Sequence, residues 1–359
     1  MKAEQTMNDV PDQPDIVGEG GAGAARGVGV RDVARKAGVS LGTVSNVLNN
    51  PEKVGERTRT RVERAIRELG FVGSRAAGQL RSRRSGLVGV VVPDVGNPYW
   101  AAVLRGVESV LEDRDLALIV GSTHQSPQRQ ERLLRGLASQ GVDGLLVAPI
   151  DDDRQWEDFA DRFLGVVALE SDVGVGAGIS LDNVDGAHQA IAHLLELGHR
   201  SICFINGPGR VPWCAERRVG VLAGIGEAGL NPDDVLIDVE VSDLTSAEGL
   251  RAADDLWQSS RPTAVLCAND LLALGVLLSA QRRGLDVPGD VSLVGYDDVE
   301  FVEALRPALT TVHQPSFEVG IVAAEMLLRG SGSRHTRSEH ALLSPQLIVR
   351  QSSGPPPRG

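Results

Sequence analysis

The stretch VRDVARKAGVSLGTVSNVLNNPEKV, residues 30–54, holds two short apolar-patterned segments on either side of Gly38-Val39-Ser40. Val33, Ala34 and Ala37 lie before the break, Val39 within it, and Val44, Val47 and Leu48 after it. Their three- and four-residue spacing predicts two amphipathic helices, each with one buried face. Ala34 and Ala37 are small enough for the helices to cross closely. Gly38 tolerates positive φ, and the Ser40 hydroxyl is placed to cap the second helix. A third helix is expected from Glu56 to Leu69, with Val62, Ile66 and Leu69 inward, arginines outward and Gly70 as its stop. Three helices about a tight turn make a helix-turn-helix head, which presents its second helix to a major groove.

Charge supports the same reading. Residues 26–84 carry 14 Lys and Arg against 5 Asp and Glu, a net of +9 in a chain whose total is −12. A basic head on an acidic body suits a nucleic-acid contact region joined to a part that must not bind DNA.

The 359 residues are enough for two or three domains, and 42% hydrophobic residues with only 3% aromatics imply a core of Val, Leu, Ile and Ala. From Leu87 onward, the apolar runs LVGVVVPD, LALIVGS, VDGLLVAPI, SICFING, TAVLCAND and VSLVGYDD are separated by intervals of 19 residues or more that include helices such as Tyr99 to Glu112 and Glu216 to Glu227. Strands buried on both faces and alternating with helices give an α/β body of two doubly wound parallel-sheet lobes. The second lobe begins near Ser201, much as the first does near Leu87.

Ligands in such folds sit at the carboxyl ends of the strands. DVGNPYW places Asn97, Tyr99 and Trp100 at one such end, an amide and two rings suited to stacking on a sugar or base while bonding its hydroxyls. Either aromatic alone would also suit core packing at a helix start. Arg217 in AERRVG, Asn269 in CAND and Asp297 in GYDD supply donors and acceptors from the second lobe. Asp270 and Asp298 are expected to be helix caps.

Other features point away from rival classes. Cys203, Cys214 and Cys267 are odd in number and widely spaced, which suggests neither a disulfide framework nor a metal site. The opening MKAEQTMNDVPDQPDIVGEGGAGAARG has no apolar core of a signal segment, and no apolar run approaches a membrane span. Its glycines Gly18, Gly20 and Gly23 match a dinucleotide motif in spacing but lack the preceding strand. Residues 1–27 therefore read as a disordered extension. His188, His193 and His199 are spaced by five and six residues and read as surface histidines rather than ligands. No nucleophilic triad or carboxylate pair stands out, so an enzyme is not expected, nor is a cofactor. A cytoplasmic protein is.

The motif DVARKAGVSLGTVSNVLN followed by TRTRVERAIRELGF resembles the head of the LacI-type (lactose/galactose repressor) family, and the resemblance runs through nearly the whole chain after residue 28. It implies that Leu41, Gly42 and Asn46 face base edges while Ser40, Thr43 and Ser45 lie near phosphates. It also implies a hinge over residues 74–85 that orders on DNA, with Arg75 beside the duplex and Leu80 wedged into the minor groove. Gly29 and Gly55 stand where the family tends to place Ser or Thr caps, and Gly73 where it has proline. In the body the resemblance adds Gln314, on a crossover between lobes, to the effector contacts. Glu170-Ser171 stands where sugar-binding members often carry Asp-Arg. Leu244 stands where an aromatic commonly stacks, a face that Trp213 can supply.

These readings set the expected organisation. A head over 28–73 and the hinge precede a two-lobed effector-binding and dimerisation domain over 86–352. Its N-lobe would comprise about 86–183 and 312–338, its C-lobe about 184–311 and 339–352, with a disordered tail over 353–359. The expected function is a transcription regulator, a repressor, that binds a pseudo-palindromic operator in double-stranded DNA as a homodimer. A small-molecule effector, a sugar or sugar derivative, would control it. The rivals are a regulator needing a nucleobase-type corepressor and a solute-binding module without regulatory output.

Overall fold

The computed structural model describes residues 28–71, 84–150, 161–171, 177–330 and 339–357, and the chain divides into two units at Arg83/Arg84. Residues 1–27, Arg75, Leu80 and the hinge up to residue 83 lie outside the described residues.

The first unit is the helical head. Helices α1 (Val30–Ala37), α2 (Leu41–Asn49) and α3 (Glu56–Leu69) enclose a core of Val33, Ala34, Ala37, Val44, Val47, Val62, Ala65 and Phe71. Gly38 closes α1 at φ 61°, its N–H bonding back to Arg35 and Ala34 carbonyls. Ser40 caps α2, its hydroxyl oxygen accepting from Thr43 N–H at 3.1 Å. Gly29, without a side chain, instead donates its N–H to Asp32 Oδ2 at 3.0 Å, while Gly55 leaves α3 without a side-chain cap. Leu48, read as buried from its spacing, is 43% exposed. Near the end of a short helix the apolar stripe runs past the edge of the core.

The second unit is built from two six-stranded sheets. In the first, β1 (Leu87–Val92), β2 (Ala117–Ser122), β3 (Gly144–Val147), β4 (Gly165–Leu169), β5 (Ala177–Leu181) and β11 (His340–Leu343) pair in the order β11-β5-β4-β3-β1-β2, all parallel. In the second, β6 (Ile202–Asn206), β7 (Leu236–Glu240), β8 (Ala264–Cys267), β9 (Ser292–Asp297), β10 (Thr310–His313) and β12 (Gln346–Ile348) pair in the order β12-β10-β9-β8-β6-β7. There only β12 runs antiparallel, against β10.

Helices cover both sheets. They are α4 (Pro98–Glu112), α5 (Pro127–Ser139), α6 (Asn183–Glu196), α7 (Pro212–Glu227), the single turn α8 (Pro232–Val235), α9 (Ser246–Ser259), α10 (Asp270–Arg282) and α11 (Ser316–Gly330). Alternate residues of β1 serve opposite layers: Val88, Val90 and Val92 join the core under α4 and α11, and Val91 the one under α5. Both sequence-predicted helices begin earlier than expected, at Pro98 and Pro212, because proline suits a first helical turn.

Strand pairing corrects the lobe boundaries. The chain crosses between sheets at Asp182, at Gln314-Pro315 and at Ser344-Pro345, so β10 belongs to the C-lobe and β11 to the N-lobe. Ser85, assigned to the hinge, is anchored to the body, where its N–H donates to Asp143 Oδ1 at 2.7 Å and that of Gly86 to Oδ2 at 2.9 Å.

The C-terminal segment is also not a free tail through residue 357. Ser353 Oγ bonds His193 Nε2 and Thr310 Oγ1, and the Gly354 carbonyl accepts from Ser292 Oγ and lies 2.8 Å from His199 Nε2. His199 is accordingly buried, with Thr263 Oγ1 at 2.8 Å on its other nitrogen. It is a core histidine rather than a surface one, and burial lowers its pKa. The three cysteines are free and buried, which pushes the Cys203 thiol up to about 12. Among the described residues no helix is long and apolar enough to cross a membrane.

Candidate functional site

In the head, α1 and α3 bury one side of α2 and leave the other open. Leu41 is 47% exposed, Ser40, Gly42 and Asn46 are exposed, and Thr43 and Ser45 are half-buried. The six residues expected to meet DNA therefore share the open end and outer face of one helix, with Val44 and Val47 pointing the other way. Because Ser40 Oγ accepts from Thr43 N–H, which it shares with the Ser40 carbonyl at 3.0 Å, Ser40→Ala is expected to destabilise the head by about 1 kcal/mol. Hydrogen exchange of α2 amides checks this, and unchanged protection would remove the cap from the account.

In the body, one cleft of about 480 Å³, counting the space at its open mouth, lies at the carboxyl ends of strands from both sheets. Asn97, Tyr99, Trp100, Glu170, Trp213, Arg217, Asn269 and Asp297 all line it. Gln314 stands just behind, buried, and donates from Nε2 to Asp297 Oδ1 at 2.6 Å. Pro93, Asp94, Gln125, Asp243 and Leu244 complete the described lining. Of these, only Leu244 attracted notice in the sequence. The others follow β1, β2 and β7, so the strand-end rule used for Asn97 and Asp297 would have found them if applied to every strand.

Tyr99 and Trp100 meet edge to face at 5.0 Å, and Trp100 meets Trp213 of the other lobe at 6.3 Å and 66°. Tyr99 and Trp100 are thus packed as core, 5% and 4% exposed, and also border the cleft. Asn97 caps α4 by accepting from Tyr99 N–H at 3.0 Å, and its side chain also bonds Asp297. Asn269, rather than Asp270, caps α10, accepting from Leu272 N–H at 2.8 Å and donating to Leu244 O at 3.1 Å. Asp270 is fully buried beneath it, accepting from Thr311 Oγ1 at 2.6 Å and Val299 N–H at 3.0 Å. Asp298 caps no helix either, since it pairs with Arg350 at 2.7 Å.

The charges converge on Arg217. Its Nε donates to Asn183 Oδ1 at 3.0 Å, its Nη1 donates to Ala268 O at 2.5 Å and lies 3.9 Å from Asp297 Oδ1, and its guanidinium stacks 3.8 Å over Tyr296. Burial raises Asp297 to about 6, with Arg217, Gln314 and Asn97 pulling it back. Burial likewise raises Glu170 to about 7, opposed by the Tyr99 hydroxyl that donates to its Oε1 and by Arg217. Among the described residues no cluster of three or more His, Cys, Asp or Glu side chains could hold a metal ion.

A helix-turn-helix unit followed by a two-lobed α/β unit with a polar, aromatic-walled cleft defines a DNA-binding regulator carrying a periplasmic-binding-protein-like body. Residues 30–74 match the model of bacterial regulatory proteins of the lacI family, and residues 191–353 match that of the periplasmic binding protein-like domain. The HTH-type transcriptional repressor CytR of Escherichia coli (strain K12) is 32% identical over 335 residues, spanning 90% of this chain and 96% of that protein. The HTH-type transcriptional repressor PurR of Vibrio campbellii (strain ATCC BAA-1116) is 33% identical over 330 residues, spanning 90% and 98%. The lac repressor dimer, solved bound to operator and the anti-inducer ONPF, covers 92% of this chain and 100% of its own at 27% identity and a TM-score of 0.77. The chain belongs to the LacI family and is a DNA-binding transcriptional repressor.

Proposed function

We propose that the protein binds a pseudo-palindromic operator as a homodimer in the cytoplasm, and that a small molecule held in the cleft, a sugar or sugar derivative, sets its operator affinity. The observation that carries this is the cleft itself, where hydrogen-bonding side chains from both lobes surround three aromatic rings. A ligand touching both lobes favours one lobe arrangement over another, and operator affinity follows by linkage. A differential of about 2.8 kcal/mol changes it a hundredfold. On the head, Asn46 and Leu41 read base edges, Ser40, Thr43 and Ser45 hold phosphates, Arg75 lies beside the duplex, and Leu80 wedges into the minor groove at the centre of the site.

Sheared DNA from the source genome, captured by the purified protein and sequenced, is expected to enrich one palindromic site with a central pyrimidine-purine step. Against that site, Leu80→Ala is expected to lose far more affinity than against random DNA of equal length. Equal losses on both would refute the wedge, and no enrichment with or without added ligand would refute the operator reading.

A further inference from the structure

The cleft is rich in acids, and its neutral donors include the amides of Asn97, Gln125 and Asn269 and the indoles of Trp100 and Trp213. Among the described lining residues Asp94, Glu170, Asp243 and Asp297 are acids, and Arg217 is the cation. That guanidinium is already committed to Asn183, Ala268 and Asp297. Three buried oxygens of this region have no hydrogen-bond partner among the described residues: Glu170 Oε2, Gln125 Oε1 and Gln314 Oε1. The two amide oxygens can only accept, and so can Glu170 Oε2 once the carboxyl is ionised. Glu170 is the most constrained, 4% exposed and held at φ 54° beyond the end of β4. A buried carboxylate oxygen without a donor is unfavourable unless a ligand supplies one.

We infer that the effector carries a protonated amine, as an amino sugar does, with its ammonium group on Glu170 Oε2 and its ring against Trp100 and Trp213. This rests on the effector-cleft reading above and narrows it. A hydroxyl brings one donor together with lone pairs that need donors of their own, whereas an ammonium brings three donors and no acceptor. It also neutralises the buried charge that no described side chain pairs.

Proton linkage follows from the neighbours. Tyr99 on α4, Glu216 and Arg217 on α7 and Asp297 on β9 face Glu170. With burial the larger influence, Glu170 sits at about 7. An ammonium ligand displaces its proton, so binding strengthens by roughly tenfold between pH 5.5 and pH 7 and releases a proton to the buffer.

The test is calorimetry on the full chain with glucosamine, galactosamine and mannosamine, each against glucose, galactose and mannose, and with adenine. At least one amine is expected to bind ten times more tightly than its neutral counterpart, with the pH dependence above, and Glu170→Gln is expected to erase the preference. Amines that bind no better than their counterparts, silence from all seven compounds, or a preference kept in Glu170→Gln would each overturn the assignment. Retention of the captured operator separates this from the parent reading. A neutral sugar or adenine that binds and changes operator affinity overturns the amine and leaves ligand control standing. An amine that binds with this signature without changing operator affinity supports the amine site and sinks ligand control.

Discussion

Gly275→Ala is expected to cost the body about 3 kcal/mol, a substantial part of a typical domain's stability margin. At this position on α10 an added Cβ would run into the Ser246 carbonyl and Leu250 amide of α9, and at Gly249 into the Leu272 carbonyl of α10. Both obstacles are backbone, so no rotamer change relieves them and the two helices would have to separate. The same device recurs between α4 and α11, where Gly106 meets Phe317 O and Gly320 meets Val103 O, and between α6 and α7, where Gly220 meets Val184 O. Gly226, near the end of α7, has nothing within 4 Å. Gly226→Ala should therefore gain roughly 0.5–1 kcal/mol from helix propensity alone. Thermal unfolding of the two variants side by side decides the matter. A Gly275→Ala protein melting with the wild type would show that the crossing is not as close as described.

Glu170→Gln is expected to stabilise the ligand-free protein by about 2–3 kcal/mol at pH 8 and by less than ~1 kcal/mol at pH 5. Burial lifts this carboxyl from the ordinary 4.5 to about 7. The folded chain thus holds the proton more tightly than the unfolded chain, and folding is favoured where both are protonated. That advantage is lost as pH rises from about 4.5 through about 7, leaving a buried charge above it. Glutamine keeps the shape and an oxygen for the Tyr99 hydroxyl but has no charge to bury. Urea unfolding at the two pH values measures the difference, and equal midpoints for both proteins at pH 8 would mean the charge is compensated. A repressor that retains a destabilising acid in its cleft is consistent with a site shaped for binding at some expense of stability.

Much of this protein is legible in one dimension. The head could be read because its signals are local: a four-residue apolar spacing, a glycine in the left-handed region and a serine three residues before the N–H it caps. The strands β1, β3, β6, β8 and β9 could be read because both their faces are buried, which leaves continuous apolar runs, and the partly exposed β2 because its run LALIV is apolar throughout. By contrast β7, LIDVE, lies at a sheet edge and is half exposed, and β10, TTVH, is short and polar in composition. Neither departs enough from a loop in sequence to be noticed.

What the sequence determined by itself was therefore the class of each unit, the helix-turn-helix of the head and the residue types of the cleft, since these depend on periodicity, turn chemistry and strand ends. Tertiary structure decided whatever depends on partners far along the chain. β11 joins β5 across some 160 residues, His199 is buried beneath the Gly354 carbonyl, and Asn269 rather than Asp270 takes the cap. Only folding shows that Glu170, brought beside Tyr99 and Arg217, keeps one oxygen without a donor among the described residues. A carboxylate's value to a site is set by which hydrogen-bond donors reach it, and that is a property of space rather than of spacing.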